Sequence, residues 1–337
     1  MAKESLFLTR ADADPAALEG ARVAVVGYGN LGRSMALNLR DSGLSVIVGN
    51  RDDEYRQAAA SDGMEVADIG SAVAQSDVAY ILLPDEVIPK LYPSEIAPRL
   101  CPQAAVCFAS GYVLAFGLVR PGPEVDVLVL APRMLGSEVR ASFLDGHGFF
   151  SYASVEQDAS GTAEGRLLAL ALACGTLAKG AMRLSASQEA HLDLLIEQTV
   201  GPYLGAAIQQ AFETGIAHGL PPEALVLEMY MSGEMSRTFQ TFAEAGFKRS
   251  ASWHGMAALY GGFLGSLAVD RKAMAAMFAE QARKIVGGEF AAQLQEEGEA
   301  GYPSRAVIES FISGDDPLSA AEERVRKALN GAGESLR

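Results

Sequence analysis

A chain of 337 residues is comfortable for two domains, and a composition that is 49% hydrophobic and 20% charged is that of a globular protein. The 42 acidic residues outnumber the 27 basic ones, and the net charge of −15 argues against a nucleic-acid or anionic-membrane partner, whose phosphates would repel this surface. An anionic substrate must then be drawn in by local cations or bound metal.

The first residues, Met1-Ala2-Lys3-Glu4-Ser5, lack the apolar core of a signal peptide, and no run of about 18 apolar residues marks a membrane span. A cytoplasmic location is expected. Residues 22–26 (RVAVV) are a short apolar run ending at glycine, the mark of a buried parallel strand. The loop Gly27-Tyr28-Gly29-Asn30-Leu31-Gly32 follows, and residues 30–42 then carry a helical pattern up to a stop at Gly43. Strand, GxGxxG and helix in that order form the dinucleotide-binding fingerprint. Gly27 makes the turn, Gly29 lets the backbone approach a pyrophosphate, and Gly32 permits close helix packing. A second strand at 45–49 leads into Asn50-Arg51-Asp52-Asp53-Glu54. Asp52 stands where an acid meets the ribose hydroxyls of NADH, while Arg51 and Arg56 suit the 2′-phosphate of NADPH. Three successive carboxylates tilt the balance to NADH, with both cofactors left open.

Further strands are expected at 78–83, 104–108, 126–130 and 149–153, with a helix at 160–174, giving a doubly wound parallel sheet over residues 1–184. Ligands bind at the C-terminal ends of such strands. That rule singles out Leu83-Pro84-Asp85, Ser110-Gly111-Tyr112 and Pro132-Arg133. Cys101, Cys107 and Cys174 lie in apolar surroundings without metal-ligand spacing and read as buried, reduced thiols.

From residue 185 to 337 the pattern becomes all-α, with helices expected at 186–218, 222–245, 253–266, 270–286 and 316–330. Asp193 and Glu197 are four apart and share one helix face. On an exposed helix such a pair is a solvated face. The apolar neighbours Leu192, Leu194, Leu195, Ile196 and Val200 instead predict burial, where two carboxylates need a cation such as Mg²⁺. Both readings stand on the residues alone. Glu228 and Glu234 are six apart, so a kink near Ser232-Gly233 is required for both to face one metal.

The fragments VAVVGYGNLG with ALNLRDSG, then VGNR, DVAYILLPDEV, FASGY, VLAPR, QDASG and DLLIEQ, follow one another in an order that resembles the short-form ketol-acid reductoisomerases (acetohydroxyacid isomeroreductases) over most of residues 20–265. The resemblance implies NADPH, or less often NADH, and two Mg²⁺ ions. It implies isomerisation of a 2-acetohydroxy acid by alkyl migration, then reduction of the resulting 2-keto acid to a dihydroxy acid. The implied fold is a Rossmann domain followed by a knotted helical domain, completed between the subunits of a homodimer or higher homo-oligomer. Carried over by position, Asp193 and Glu197 match the first acidic pair, with Asp193 bridging both metals. Glu228 matches the first acid of a second pair that a partner subunit can supply, and Glu234 the second acid once a two-residue insertion is allowed.

Three positions depart from that pattern. Ser110 stands where the family has histidine, Arg133 where it has lysine, and Gly255 where it has a serine near the substrate carboxylate. Isomerisation begins by deprotonating a tertiary alcohol, and a serine hydroxyl cannot act alone as that base. Arginine stays protonated and offers a planar fork in place of a point charge. Hydride transfer needs only a bound nicotinamide and a cation polarising the acceptor carbonyl, which Arg133 and metal-ligating acids can supply. The expectation is a divergent reductase of a 2-keto acid or related carbonyl, with isomerisation altered or lost. The alternatives are an unaltered ketol-acid reductoisomerase using metal hydroxide as base, a non-catalytic nucleotide-binding paralogue, and a metal-free 2-hydroxy-acid dehydrogenase. Among the histidines, His254 is a candidate replacement base, while His191 and His147 read as structural and loop residues.

Overall fold

The computed structural model describes residues 5–330, so Met1–Glu4, most of the stretch read for a signal peptide, and residues 331–337 lie outside the described residues. The chain divides into two compact units, residues 1–193 and 194–337.

Nine strands of the first unit form one sheet: β1 (Phe7–Leu8), β2 (Arg22–Val26), β3 (Ser45–Gly49), β4 (Glu65–Ala67), β5 (Val78–Ile81), β6 (Ala105–Phe108), β7 (Asp126–Pro132), β8 (Ser151–Gln157) and β9 (Ala181–Arg183). Their order is β1-β9-β8-β7-β6-β5-β2-β3-β4. Strands β2 to β7 pair in parallel. Helices cover both faces of such strands, so they read as unbroken apolar runs, and Val23 to Val26 are fully buried. The chain winds outward from β2 through β3 and β4, then returns to place β5 on the other side of β2. That reversal is the topological switch point at which ligands bind.

The helices between the strands are α1 (Asn30–Asp41), α2 (Glu54–Ser61), α3 (Ile69–Ala74), the short α4 (Ile88–Leu91) and α5 (Tyr112–Ala115), α6 (Gly136–Leu144) and α7 (Ala163–Cys174). α7 buries Leu167 to Ala171 against the sheet and stops where Gly175 turns left-handed at φ +96°. The buried carboxylate of Asp126 accepts hydrogen bonds from the Ala159 and Ser160 amides, the Ser160 hydroxyl and Arg166, which accounts for the QDASG turn ahead of α7.

Two expectations for this unit need correction. The strand foreseen at 149–153 runs over Ser151–Gln157 and lies antiparallel to β7. α6 delivers the chain back to the sheet edge it had just left, opposing Ser151 to Pro132, so β8 can only run backwards. Cys107 and Cys174 are buried free thiols as foreseen, but Cys101 is exposed, because it sits in the turn before β6 rather than within the strand.

α8 (Ala186–Gln198) starts in the first unit and ends in the second. The second unit continues with α9 (Val200–Ala217), α10 (Pro222–Val226), α11 (Glu234–Ala245), α12 (Met256–Ala268), α13 (Arg271–Val286), α14 (Glu289–Glu299), α15 (Arg305–Ile312) and α16 (Pro317–Asn330). It is all-helical, but the single helix expected over 186–218 breaks at Thr199. Pro202 has no N–H for the Gln198 carbonyl, so the ladder cannot pass that point. The helix expected over 222–245 is also divided. A wide turn over Leu227–Met231, closed by the Ser232 amide on the Leu227 carbonyl at 3.1 Å, leads to Gly233 at φ +84° and a fresh start at Glu234. Helices α14 and α15 were not foreseen; Gly287-Gly288 precedes the first and Gly301-Tyr302-Pro303 separates the two.

Among the described residues of this unit, Phe212, Val226, Ala321 and Val325 form a buried cluster, and Ile285 and Ala291 are buried elsewhere. Large apolar side chains stand exposed instead, among them Trp253, Met256, Tyr260, Phe263 and Leu267 around α12 and Phe311 on α15. Among the described residues no helix is long and apolar enough to cross a membrane.

A Cβ on Gly32 would lie 2.1 Å from the Gly27 carbonyl oxygen, a contact that the rigid turn cannot relieve. Gly32→Ala is therefore expected to destabilise the first unit by ~1–3 kcal/mol. Thermal unfolding should report a midpoint several degrees lower, whereas Gly29→Ala, whose Cβ would meet nothing within 4 Å, should leave it unchanged.

Candidate active site

At the switch point, the C-terminal ends of β2, β3 and β5 open onto a cavity of about 810 Å³. Gly27, Tyr28, Gly29, Asn30 and Leu31 line one wall, Asn50, Arg51 and Asp53 a second, and Leu83, Pro84 and Ala109 a third. Gly27 sits at φ +98°, where a Cβ would come within 2.7 Å of the Leu82 carbonyl oxygen. Gly29 faces open space, and α1 begins immediately after it, so the free N–H groups of its first turn point toward the cavity. These features fit a dinucleotide pyrophosphate.

Of the other residues expected at the cofactor, Gly32 packs beneath the loop, Asp52 is exposed, and Asp85 and Gly111 lie beside the cavity rather than on its wall. Asp53 takes the lining place next to Arg51. Its carboxylate accepts from Asn50 Nδ2 at 2.7 Å, Arg51 Nε at 2.7 Å and the Tyr55 and Arg56 amides, so it also caps α2. The Arg51 guanidinium, more than any other contact, holds it below the usual carboxylate range. An Asp directly before a helical EYRQ run is the N-cap signal that marks it in the sequence.

Asp85, Ser110 and Arg133 leave the sheet at the ends of the adjacent strands β5, β6 and β7. Arg133 forms a fork on α8. One Nη atom meets Asp193 and the other meets Glu189 at 2.5 Å, while its guanidinium carbon lies 5.2 Å from the Tyr152 ring centre. Glu189 is fully buried, and its second oxygen accepts from the Gly111 amide at 2.6 Å. Gly111 has to be glycine there, since a Cβ would fall 2.1 Å from the Ala186 carbonyl oxygen. Burial raises the Glu189 carboxyl above its ordinary range, opposed by the Gly111 hydrogen bond and Arg133. Glu189 is not among the ligands expected from the sequence; its signal is the i, i+4, i+8 spacing with Asp193 and Glu197. Burial also pushes Asp85 up to about 7, assisted by the negative charges of Glu189, Glu86 and Asp193 and opposed by a hydrogen bond with Ser110.

The remaining acids belong to the second unit. Glu197, Glu228 and Glu234 are exposed. The acidic helix, expected from its leucines to be buried, is thus half-covered, with Ile196 and Val200 also exposed. The backbone irregularity foreseen near Ser232-Gly233 is present as the wide turn and the left-handed Gly233 between Glu228 and Glu234. Four carboxylates are the hard-oxygen donors that Mg²⁺ prefers, so their chemistry fits the metal. Among the described residues of one chain no three acids, histidines or cysteines come together to hold an ion. His254 is exposed after a short turn, His147 is an exposed loop residue paired with Asp145, and the His191 ring lies 5.8 Å from that of Phe116.

Residues 17–180 match the family model of the acetohydroxy acid isomeroreductase NADPH-binding domain, and residues 187–330 match that of the ketol-acid reductoisomerase C-terminal domain. The chain belongs to the ketol-acid reductoisomerase family. It is 36% identical to the ketol-acid reductoisomerase (NADP(+)) of Pyrobaculum neutrophilum over 96% of this chain and 98% of the relative. It is 38% identical to the enzyme of that name from Caldivirga maquilingensis, over 86% and 88%. Among solved structures it is similar to an NADH-preferring ketol-acid reductoisomerase from an uncultured archean, with TM-score 0.88, 30% identity and 96% and 99% coverage. The chain is thus an NAD(P)-dependent oxidoreductase by family, with a Rossmann-like first unit and a helical second one.

Within this ketol-acid reductoisomerase framework, Arg133 is the counterion of a buried carboxylate. Arg133→Met leaves Glu189 buried and uncompensated, a change expected to cost about 3–5 kcal/mol near pH 8. A carboxyl with a raised folded-state pKa favours its protonated form, so the penalty should shrink toward pH 5, where Glu189 can take up a proton. Urea unfolding of the two proteins at both pH values measures this.

Proposed function

We propose that this protein is a divergent ketol-acid reductoisomerase family member that uses NADH or NADPH and Mg²⁺ to reduce a 2-keto acid or a related carbonyl, with isomerisation altered or lost. The observation that carries the proposal is the Arg133 fork on Glu189 and Asp193. Asp193 is the carboxylate that the family resemblance makes the bridge between two metals. Here a fixed cation already neutralises one of its oxygens.

Gly27 to Leu31 bind the cofactor pyrophosphate, with Gly32 supporting the loop, and Asn50, Arg51 and the acids beside them meet the ribose. Leu83, Pro84, Asp85 and Gly111 frame the nicotinamide end. Asp193 and Glu197, joined by Glu228 and Glu234, are the residues to hold Mg²⁺. When bound, the nicotinamide supplies the hydride and the metal polarises the acceptor carbonyl. Arg133, held by Glu189 and Asp193, places a planar cation beside the metal-binding acids. Ser110 offers a hydroxyl where alkyl migration calls for a base.

The exposed apolar faces of the second unit and its three exposed acids support a homodimer, in which a second copy covers those faces and brings its own Glu228 and Glu234 to the metal. A second reading, full ketol-acid reductoisomerase activity, is favoured by the names of the relatives and by the retained acids.

Following nicotinamide absorbance with Mg²⁺ and either a 2-keto acid or 2-acetolactate separates the readings. The proposal predicts turnover with the keto acid, little with acetolactate, and loss of activity on chelation. Ordinary acetolactate turnover would establish the second reading instead, and chelator-resistant reduction would remove the metal from the account. Light scattering of the eluted protein should give twice the chain mass of 35.4 kDa; a monomer contradicts the shared site.

A further inference from the structure

NADH and NADPH differ by one phosphate, carried on the 2′-oxygen of the adenosine ribose. Three neighbouring strands deliver the residues that such a molecule would meet in turn. β2 ends at the Gly27–Leu31 turn that fits the pyrophosphate, β3 beside it ends at Asn50, Arg51 and Asp53, and β4 beyond that leads to Asp68 and Ile69. Ile69 and the Tyr55 ring give the outer end of the cavity an apolar surface suited to adenine. The ribose between base and pyrophosphate then lies at the end of β3.

A 2′-phosphate is held by free amides at a helix N-terminus and by guanidinium groups. Both kinds of donor are present at the end of β3, and Asp53 already uses them. Its Oδ1 accepts from the Tyr55 and Arg56 amides at the start of α2, at 3.1 and 3.2 Å, and from Asn50 Nδ2 at 2.7 Å. Its Oδ2 accepts from Arg51 Nε at 2.7 Å. The chain's own carboxylate therefore fills the anion place at this helix. Among the described residues Oδ2 takes no other donor, so it keeps a lone pair for a ribose hydroxyl.

The surrounding charge opposes a second anion. Asp68 and Glu95 also line the cavity, so three carboxylates stand against Arg51, the one lining cation among the described residues. Arg56 acts on Asp68, and Arg99 packs against Gly70, but neither reaches the lining. A phosphate brought to this wall would meet like charge whose only counterion there is already paired.

We propose that Asp53 selects NADH by standing in for the 2′-phosphate: it occupies the donors that would bind that group and accepts the ribose hydroxyl in its place. This rests on the reading that the cavity holds a nicotinamide dinucleotide.

Binding, not turnover, tests it. Calorimetric titration of the full-length protein should give at least ~10-fold higher affinity for NADH than for NADPH. Asp53→Ser keeps a helix cap but frees Arg51, so it should weaken NADH, strengthen NADPH and move their ratio by ~10-fold or more. Adding Arg51→Ala to Asp53→Ser should remove the gain in NADPH binding. Asp53→Asn, which retains an acceptor for the α2 amides but no charge, should move the ratio the same way by less. Thermal midpoints close to that of the wild type report that the variants fold. Wild-type affinities that are equal or favour NADPH overturn the proposal, as does a ratio unchanged in both Asp53→Ser and Asp53→Asn. The expected preference without reduction of any carbonyl supports the proposal and removes only the reductase reading. If neither nucleotide binds, the cofactor reading of the cavity falls and the proposal falls with it.

Discussion

The guanidinium of Arg133 ties the end of β7 to α8, and the arrangement around the strand ends depends on that tie. Glu189 has no exposed surface, and a buried carboxylate without a counterion is strongly unfavourable. With Arg133 on one oxygen and the Gly111 amide on the other, Glu189 becomes a fixed link between three pieces of chain: the β6 turn, the β7 end and α8. A lysine could reach one of the two acids as a point charge. The arginine fork reaches both, and in doing so sets where Asp193 points.

This geometry connects the departures from the family pattern. Arg133 brings a cation to the acid that the proposal gives to the metal, and Ser110 brings a hydroxyl where the resemblance implies an imidazole. The second changes how protons move, the first how charge is balanced. Asp85 lies between them in effect, since the same acids that engage Arg133 also raise its proton affinity. The acids of the second unit are exposed, and so are several of its large apolar side chains. The homodimer proposed above answers both, with a second copy as the covering surface and the source of further carboxylates.

Much of the first unit was legible in the sequence because local signals and tertiary demands agree there. The RVAVV run, the GYGNLG turn and the following helix each have one physical solution, and Gly27 and Gly32 meet contacts that no side chain permits. The antiparallel β8 was not legible, because strand direction depends on where α6 returns the chain. In the second unit the periodicity located most helices but not their breaks. Thr199 and the Leu227–Met231 turn follow from Pro202 and from hydrogen bonds five residues apart, which an apolar pattern does not record. The site divides similarly. Spacing and topology single out Asp193, Glu197 and the strand-end residues, of which the structure joins Arg133 to Asp193, whereas Glu189 and Asp53 matter through burial and partners. The exposure of the acidic helix was misjudged because leucines signal a contact without saying whether its partner lies in the same chain.

The central claim is that Arg133 engages Asp193 in competition with a divalent cation. Mn²⁺ titration followed by electron paramagnetic resonance measures that competition without requiring turnover, because the signal of the free aquo ion disappears on binding. Arg133→Lys should bind Mn²⁺ at least ~10-fold tighter than the wild type, corresponding to about 1.4 kcal/mol released at Asp193, and Asp193→Asn should abolish the gain. Equal affinities in wild type and Arg133→Lys would contradict the account.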